Sequence, residues 1–186
     1  MTRIGTIVWQ SILLPGHEYC QLSSQGAEWK LEGTAIFTHG QQPCQLDYRI
    51  ICDATWRTLG ANILGWVADT RVEIELQTDP NQHWYLNQVE QPQVAGCIDL
   101  DLNFSPSTNL IPIRRLSLAV GEQAAITAAW LRFPELALEP LPQRYLRLEE
   151  LIYRYESGGG RFMADLTVNH TGFVVDYPGI WKVEDI

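Results

Sequence analysis

The chain has little lysine. Lys30 and Lys182 are the only two among 13 basic residues, and the formal net charge is -9. No basic stripe is available to neutralise nucleic-acid phosphates, and no polybasic patch to hold an anionic membrane surface. The four cysteines, Cys20, Cys44, Cys52 and Cys97, form no CxxC, and His17, His39, His83 and His170 are dispersed. The common zinc spacings are thereby excluded. There is no GxSxG elbow, and Gly158-Gly159-Gly160 runs into a strand pattern, which excludes a P-loop. No apolar run approaches the roughly 20 residues that cross a bilayer, and Gln10 and Ser11 interrupt the apolar start. The expectation is a cytoplasmic protein with reduced thiols, without metal or cofactor, nucleic-acid partner or membrane-spanning segment. Internal repeats and low-complexity linkers are absent too, so residues 1–186 are expected to form a single domain.

What is present is period-two alternation. Leu46, Tyr48, Ile50 and Cys52 alternate with Asp47, Arg49 and Asp53; Val72, Ile74 and Leu76 alternate with charged residues. Ile98, Leu100, Leu102 and Phe104 do the same around Asp99 and Asp101, as do Phe162, Ala164, Leu166 and Val168. This pattern reads as antiparallel strands with one apolar face. His39-Gly40, Asp79-Pro80-Asn81 and Asn169-His170-Thr171-Gly172 supply turns between them. Residues 124–131 read as a strand despite their alanines, and residues 146–155 as one strand with a bulge at Glu149-Glu150. An all-β meander follows, closed or half-closed into a barrel, or folded as a sandwich.

Candidate chemistry is sparse. Asp99 and Asp101 share one strand face, about 7 Å apart, where they form either an acid/base pair or a solvated surface. His17, read as a loop residue beside Glu18, is the leading acid/base histidine. Arg114 and Arg115 stand out in SPSTNLIPIRRL, residues 105–116. Read as a strand entered through a proline-stiffened turn, this segment points one arginine inward and one outward. An unpaired inward guanidinium costs roughly several kcal/mol, so it requires a carboxylate (Asp101, Asp53 or Glu18) or a ligand anion.

These blocks carry a resemblance. The SPSTNLIPIRRL segment, Phe133-Pro134-Glu135-Leu136, Gln143-Arg144-Tyr145 and residues 172–181 (GFVVDYPGIW) resemble a bacterial family named for glycolipid binding and formerly a domain of unknown function. Gly16-His17-Glu18, Tyr48-Arg49-Ile50, Asp53 and Trp56-Arg57 extend the likeness over essentially the whole chain. Leu110-Ile111 stands where the family often has Thr-Leu, which leaves the arginines in place. The resemblance implies a single large antiparallel meander sheet curled into a half-barrel with little helix, similar to lipoprotein carriers and to a pigment-biosynthesis enzyme. It implies a glycolipid or other small amphipathic ligand in the concave face, with the arginine pair on an anionic or sugar head group. Arg114, Arg115, Asn109, Asp101, Asp53, Trp56, Arg57, Glu18 and Tyr177 are the expected ligand-binding residues. The alternative is an enzyme on the same scaffold, with Glu18, His17 or Asp101 as acid/base.

Overall fold

The computed structural model describes residues 1–184. Eight strands come first: β1 (Thr2–Ser11), β2 (Gly16–Gln25), β3 (Glu28–His39), β4 (Gln42–Cys52), β5 (Thr58–Val67), β6 (Thr70–Thr78), β7 (Trp84–Leu86) and β8 (Val89–Glu90). The short β9 (Leu100–Leu102) leads through a 3-10 turn at Pro106–Asn109 into helix α1 (Leu110–Leu116). Six more strands follow: β10 (Gln123–Arg132), β11 (Ala137–Glu149), β12 (Ile152–Ser157), β13 (Phe162–Val168), β14 (Val174–Tyr177) and β15 (Trp181–Val183). All fifteen join one sheet in the order β8-β7-β6-β5-β4-β3-β2-β1-β15-β14-β13-β12-β11-β10-β9. The first and last runs of the chain therefore meet in the middle, at β1 and β15. Every pairing is antiparallel except β9 with β10, which is parallel. The outermost strands, β8 and β9, do not pair with each other, so the sheet is not closed into a barrel.

Alternation behaves as a half-buried strand requires. In β4, Leu46, Tyr48, Ile50 and Cys52 are buried while Asp47 and Arg49 face outward. In β6, Val72, Ile74 and Leu76 are buried. Each fully covered aliphatic side chain contributes about 1.5–3 kcal/mol. The register places Gly33 between Cys20 on β2 and Tyr48 on β4. A Cβ at residue 33 would collide with the Tyr48 ring, so the glycine lets the phenol lie flat across β3 and reach β2. On β6, Asn87 serves the strand's outer side: its Oδ1 accepts from Glu75 N (2.7 Å) and its Nδ2 donates to Glu73 O (3.2 Å).

Four local expectations are corrected. Residues 110–116 are helix, not strand, because the serine and proline before them start a helical turn. Asp99 lies outside β9, which spans three residues and pairs in parallel; Asp99 is buried and Asp101 partly so, because the polar face of this strand is covered rather than solvated. Residues 146–155 are two strands, not one: the register break lies at Arg147/Glu149, next to the expected place, and Glu150-Leu151 then turn the chain from β11 into β12. His17 is in β2 rather than a loop.

Gly33→Ala forces the Tyr48 ring to move. The expected cost is about 1–3 kcal/mol, read as a lower denaturation midpoint; an unchanged midpoint would contradict the flat packing of Tyr48 over β3.

Candidate functional site

Residues Phe104 to Ile113 are all buried, four polar side chains among them. Ser105 caps the 3-10 turn, its Oγ accepting from Ser107 N (3.1 Å). Pro106 opens that turn, and Pro112 falls in the first turn of α1, where a missing N–H breaks no helical bond. Ser117, left-handed at φ 46, ends the helix. The polar groups are matched by the sheet. Ser105 Oγ and Tyr48 Oη each donate to Glu18 Oε1 at 2.5 Å. Thr108 Oγ1 accepts from Leu102 N (3.3 Å), and Asn109 Nδ2 donates to Tyr145 Oη (3.0 Å). Burial pushes the Glu18 carboxyl up to about 8, against the pull of the Ser105 and Tyr48 hydrogen bonds. Its Oε2 finds no hydrogen-bond partner among the described residues.

The segment runs between two groups of turns. At the end holding the β1–β2, β12–β13 and β14–β15 turns lies a cleft with two arms. The polar arm, so called because it is the more polar of the two, has about 280 Å³ and is lined by Asp101, Asn109, Trp130, Tyr155, Phe162 and Tyr177. The apolar arm, about 240 Å³, is lined by Leu14, Phe37, Phe104 and Phe133. Leu13, Asn103, Ile180 and Trp181 belong to both. The three phenylalanines are mutually in contact, Phe37 and Phe133 edge-to-face at 5.2 Å. Ile12 and Leu13 stay exposed in the β1–β2 turn.

A hydrogen-bond relay runs from the buried segment into the polar arm. Asn109 donates to Tyr145, Tyr145 Oη donates to Gln143 Oε1 (3.3 Å), and Gln143 Nε2 donates to Asp101 Oδ2 (2.6 Å). Burial raises the Asp101 carboxyl to about 6, with the Gln143 donor opposing. Burial also raises Tyr155 and Tyr177, and the nearby Asp101 charge adds to it, so both phenols remain protonated donors.

At the opposite end, where the β4–β5, β11–β12 and β13–β14 turns gather, lies a groove of about 380 Å³. Arg114 from the last turn of α1 lines it, its guanidinium 5.4 Å over the Trp56 ring. Trp56 stacks on Trp29 with centroids 4.7 Å apart. Asp53 builds the turn beneath: its Oδ1 accepts from Thr55 N, Thr55 Oγ1 and Arg57 N at 2.8–3.0 Å. Slight burial opposes ionisation there, but these donors win and hold the Asp53 carboxyl below its usual range.

The nine expected ligand-binding residues are thus divided. Asp101, Asn109 and Tyr177 meet in the two-armed cleft; Arg114 and Trp56 meet in the opposite groove. Asp53 shapes the turn that carries Trp56, and Arg57 is exposed on that turn. Arg115 is bound to Asp99 by Nε–Oδ1 (2.8 Å) and Nη2–Oδ2 (2.6 Å), a carboxylate outside the three expected partners. Glu18 is buried beneath Ser105, whereas His17, next along β2, is exposed and paired with Glu184. The expected acid/base set is therefore not gathered at one place. Sequence reasoning missed Tyr155, Trp130, Gln143 and the three phenylalanines. Gln143 carried a signal, being polar in the same strand phase as the aromatic Tyr145.

A family model described as "Putative glycolipid-binding" matches residues 6–183. A crystal structure of a DUF1089 family protein from Pseudomonas aeruginosa is 34% identical, with a TM-score of 0.77 over 89% of this chain and 91% of that one. No curated protein matches the chain.

Two outcomes follow from the buried polar groups. Arg115→Ala strands Asp99 as an unpaired buried carboxyl and lowers unfolding free energy by about 3–5 kcal/mol in chemical denaturation. Glu18 ionises near pH 4.5 when unfolded and near pH 8 when folded. Between those values the unfolded state holds fewer protons, so stability falls as pH rises. Thermal melts of wild type and Glu18→Gln at pH 5 and pH 8 check this. The variant should lose less stability than wild type across that interval; an equal loss would remove Glu18 as its source.

Proposed function

Because the chain belongs to the family described as putative glycolipid-binding, we propose that it holds one glycolipid in the two-armed cleft. The sugar occupies the polar arm and the acyl chain the apolar arm. The observation that carries this reading is that the two arms adjoin, with Leu13, Asn103, Ile180 and Trp181 lining both. An amphipathic molecule needs a polar and an apolar compartment side by side, and these residues make the junction. Sugar hydroxyls donate to Asp101 and accept from Tyr177 and Asn109, while ring faces stack on Trp130 or Tyr155. Each methylene covered by Phe37, Phe104 and Phe133 contributes about 0.8 kcal/mol. In this reading Arg115 acts indirectly, bracing the chain before β9 through Asp99.

The same proposal takes residues 1–186 as one binding domain, with the sheet curled into a half-barrel around residues 104–113. Its support is spacing. Ser105 is bonded beside Tyr48 on β4 through Glu18, and Asn109 to Tyr145 on β11, eight places away in the strand order. A flat sheet would put eight strand spacings at about 38 Å, but four residues of 3-10 turn span about 8 Å. Thr58 N donating to Ile98 O, from opposite regions of the sheet, points the same way.

Native mass spectrometry of the folded protein with a panel of glycolipids and fatty acids tests the proposal. Wild type should retain a glycolipid, Phe133→Ala should weaken retention with a loss that grows with acyl length, and Asp101→Asn should blunt discrimination between sugar-bearing and bare lipids. Retention of none by folded wild type would overturn it. Asp101 accepts best as a carboxylate, so affinity should drop as pH falls from 7 to 5, through its value of about 6. A pH-independent affinity would remove Asp101 from recognition.

A further inference from the structure

The groove at the other end of the strands shares no lining residue with this cleft. We propose that it is a second binding site, for a phosphate-type oxyanion, with Arg114 as its principal donor. In a chain of net charge -9, two guanidiniums line this one groove, Arg114 and Arg147. Among the described residues no carboxylate lies within ion-pair distance of either, whereas six of the other nine arginines are paired with one. Glu150 lines the groove, yet it meets Arg147 through its backbone carbonyl, at 3.2 Å from Nε and 2.6 Å from Nη2. Leu118 O takes Arg147 Nη1 at 2.8 Å. Carbonyls orient that guanidinium without neutralising it. Both charges reach Tyr153, whose hydroxyl is raised by burial and pulled back by Arg147 and then Arg114.

Arg114 is held in advance. Its stem crosses Gly172, where an added Cβ would stand 3.2 Å from Cδ, and its head lies over Trp56. A long side chain already fixed on two surfaces loses little freedom on binding, and its planar fork suits two oxygens of one phosphate. Over the ring the guanidinium makes no hydrogen bond among the described residues, so its N–H donors are free for the groove. His170 and Asn169 line the same space from the β13–β14 turn. The oxyanion is either a free phosphate or the phosphate of a lipid head group, and the two share this chemistry.

Isothermal titration of the full chain with inorganic phosphate at low salt is the first arm. Flotation with phosphatidylcholine vesicles, with and without phosphatidylglycerol, is the second. Net negative charge disfavours unspecific adsorption to anionic vesicles, so retention there reports a local site. Saturable phosphate binding identifies the free ion, and retention on the anionic vesicles alone identifies the head group. Either must weaken at least ten-fold in Arg114→Ala, with Arg114→Lys in between because it keeps the charge and loses the fork. Arg114→Gln keeps the stem over Gly172 and replaces the alanine variant should that one fail to fold. Asp101→Asn and Phe133→Ala should leave this binding unchanged, which separates it from the glycolipid cleft. Absence of binding in both arms, or binding that survives loss of Arg114, overturns the proposal.

Discussion

A buried carboxyl, two hydroxyls and the backbone between them hold the molecule's interior together. Ser105 and Tyr48 both donate to Glu18, and all three are buried. A segment carrying Ser105, Ser107, Thr108 and Asn109 can be covered by a sheet only if each polar group is matched, since an orphaned one costs about 1–3 kcal/mol. The match dictates the rest. Tyr48 reaches Glu18 only because residue 33 has no side chain, and Asn109 reaches Tyr145 only because the segment is helical there. Once both ends of the segment are bound, Leu110 and Ile111 pack into one apolar cluster and Ile113 into the other. The segment thereby couples clusters drawn from different regions of the sheet.

That placement also sorts chemistry by position. The start of the segment faces aromatic and carboxylate side chains, and the end of α1 delivers a cation beside Trp56. One arginine of the adjacent pair is consumed by Asp99 while its neighbour remains available. On a helix, consecutive residues diverge by about 100°, so the pair serves a structural ion pair and an open groove at once. The alternating geometry of a strand would also have split the two, but toward other partners.

The strands were legible because a half-covered sheet writes its burial directly as alternation, as in Leu46, Tyr48, Ile50 and Cys52. The helix was not, although its signals were present. Ser105 followed by Pro106 is a helix start, and Leu110, Ile111, Ile113 and Leu116 fit a helical face better than a strand. Pro112 obscured this, because a proline in a first turn looks like a break when the preceding turn is not recognised. Asp99 and Asp101 misled for a different reason. Alternation reports which residues differ, not whether the polar side meets water, and here it meets Arg115 and Gln143. The residues of the site could be named singly but not grouped. Grouping depends on which turns share an end of the sheet, which is a property of its strand order.

A sheet with unpaired outer strands carries a hazard of its own, since a free ladder can recruit a second chain and seed a fibril. β7 covers only the last residues of β6. Beyond it, the amide of Asn87 occupies the next rungs, bonded to Glu75 N and Glu73 O as a neighbouring strand would be. One side chain thus impersonates the strand that would otherwise be supplied by another molecule, and Arg71 and Glu73 place charge where that molecule would have to dock. Asn87 is in effect a terminator of the ladder, a task that requires neither ligand nor catalysis: two rungs already bonded offer a further strand nothing to pair with.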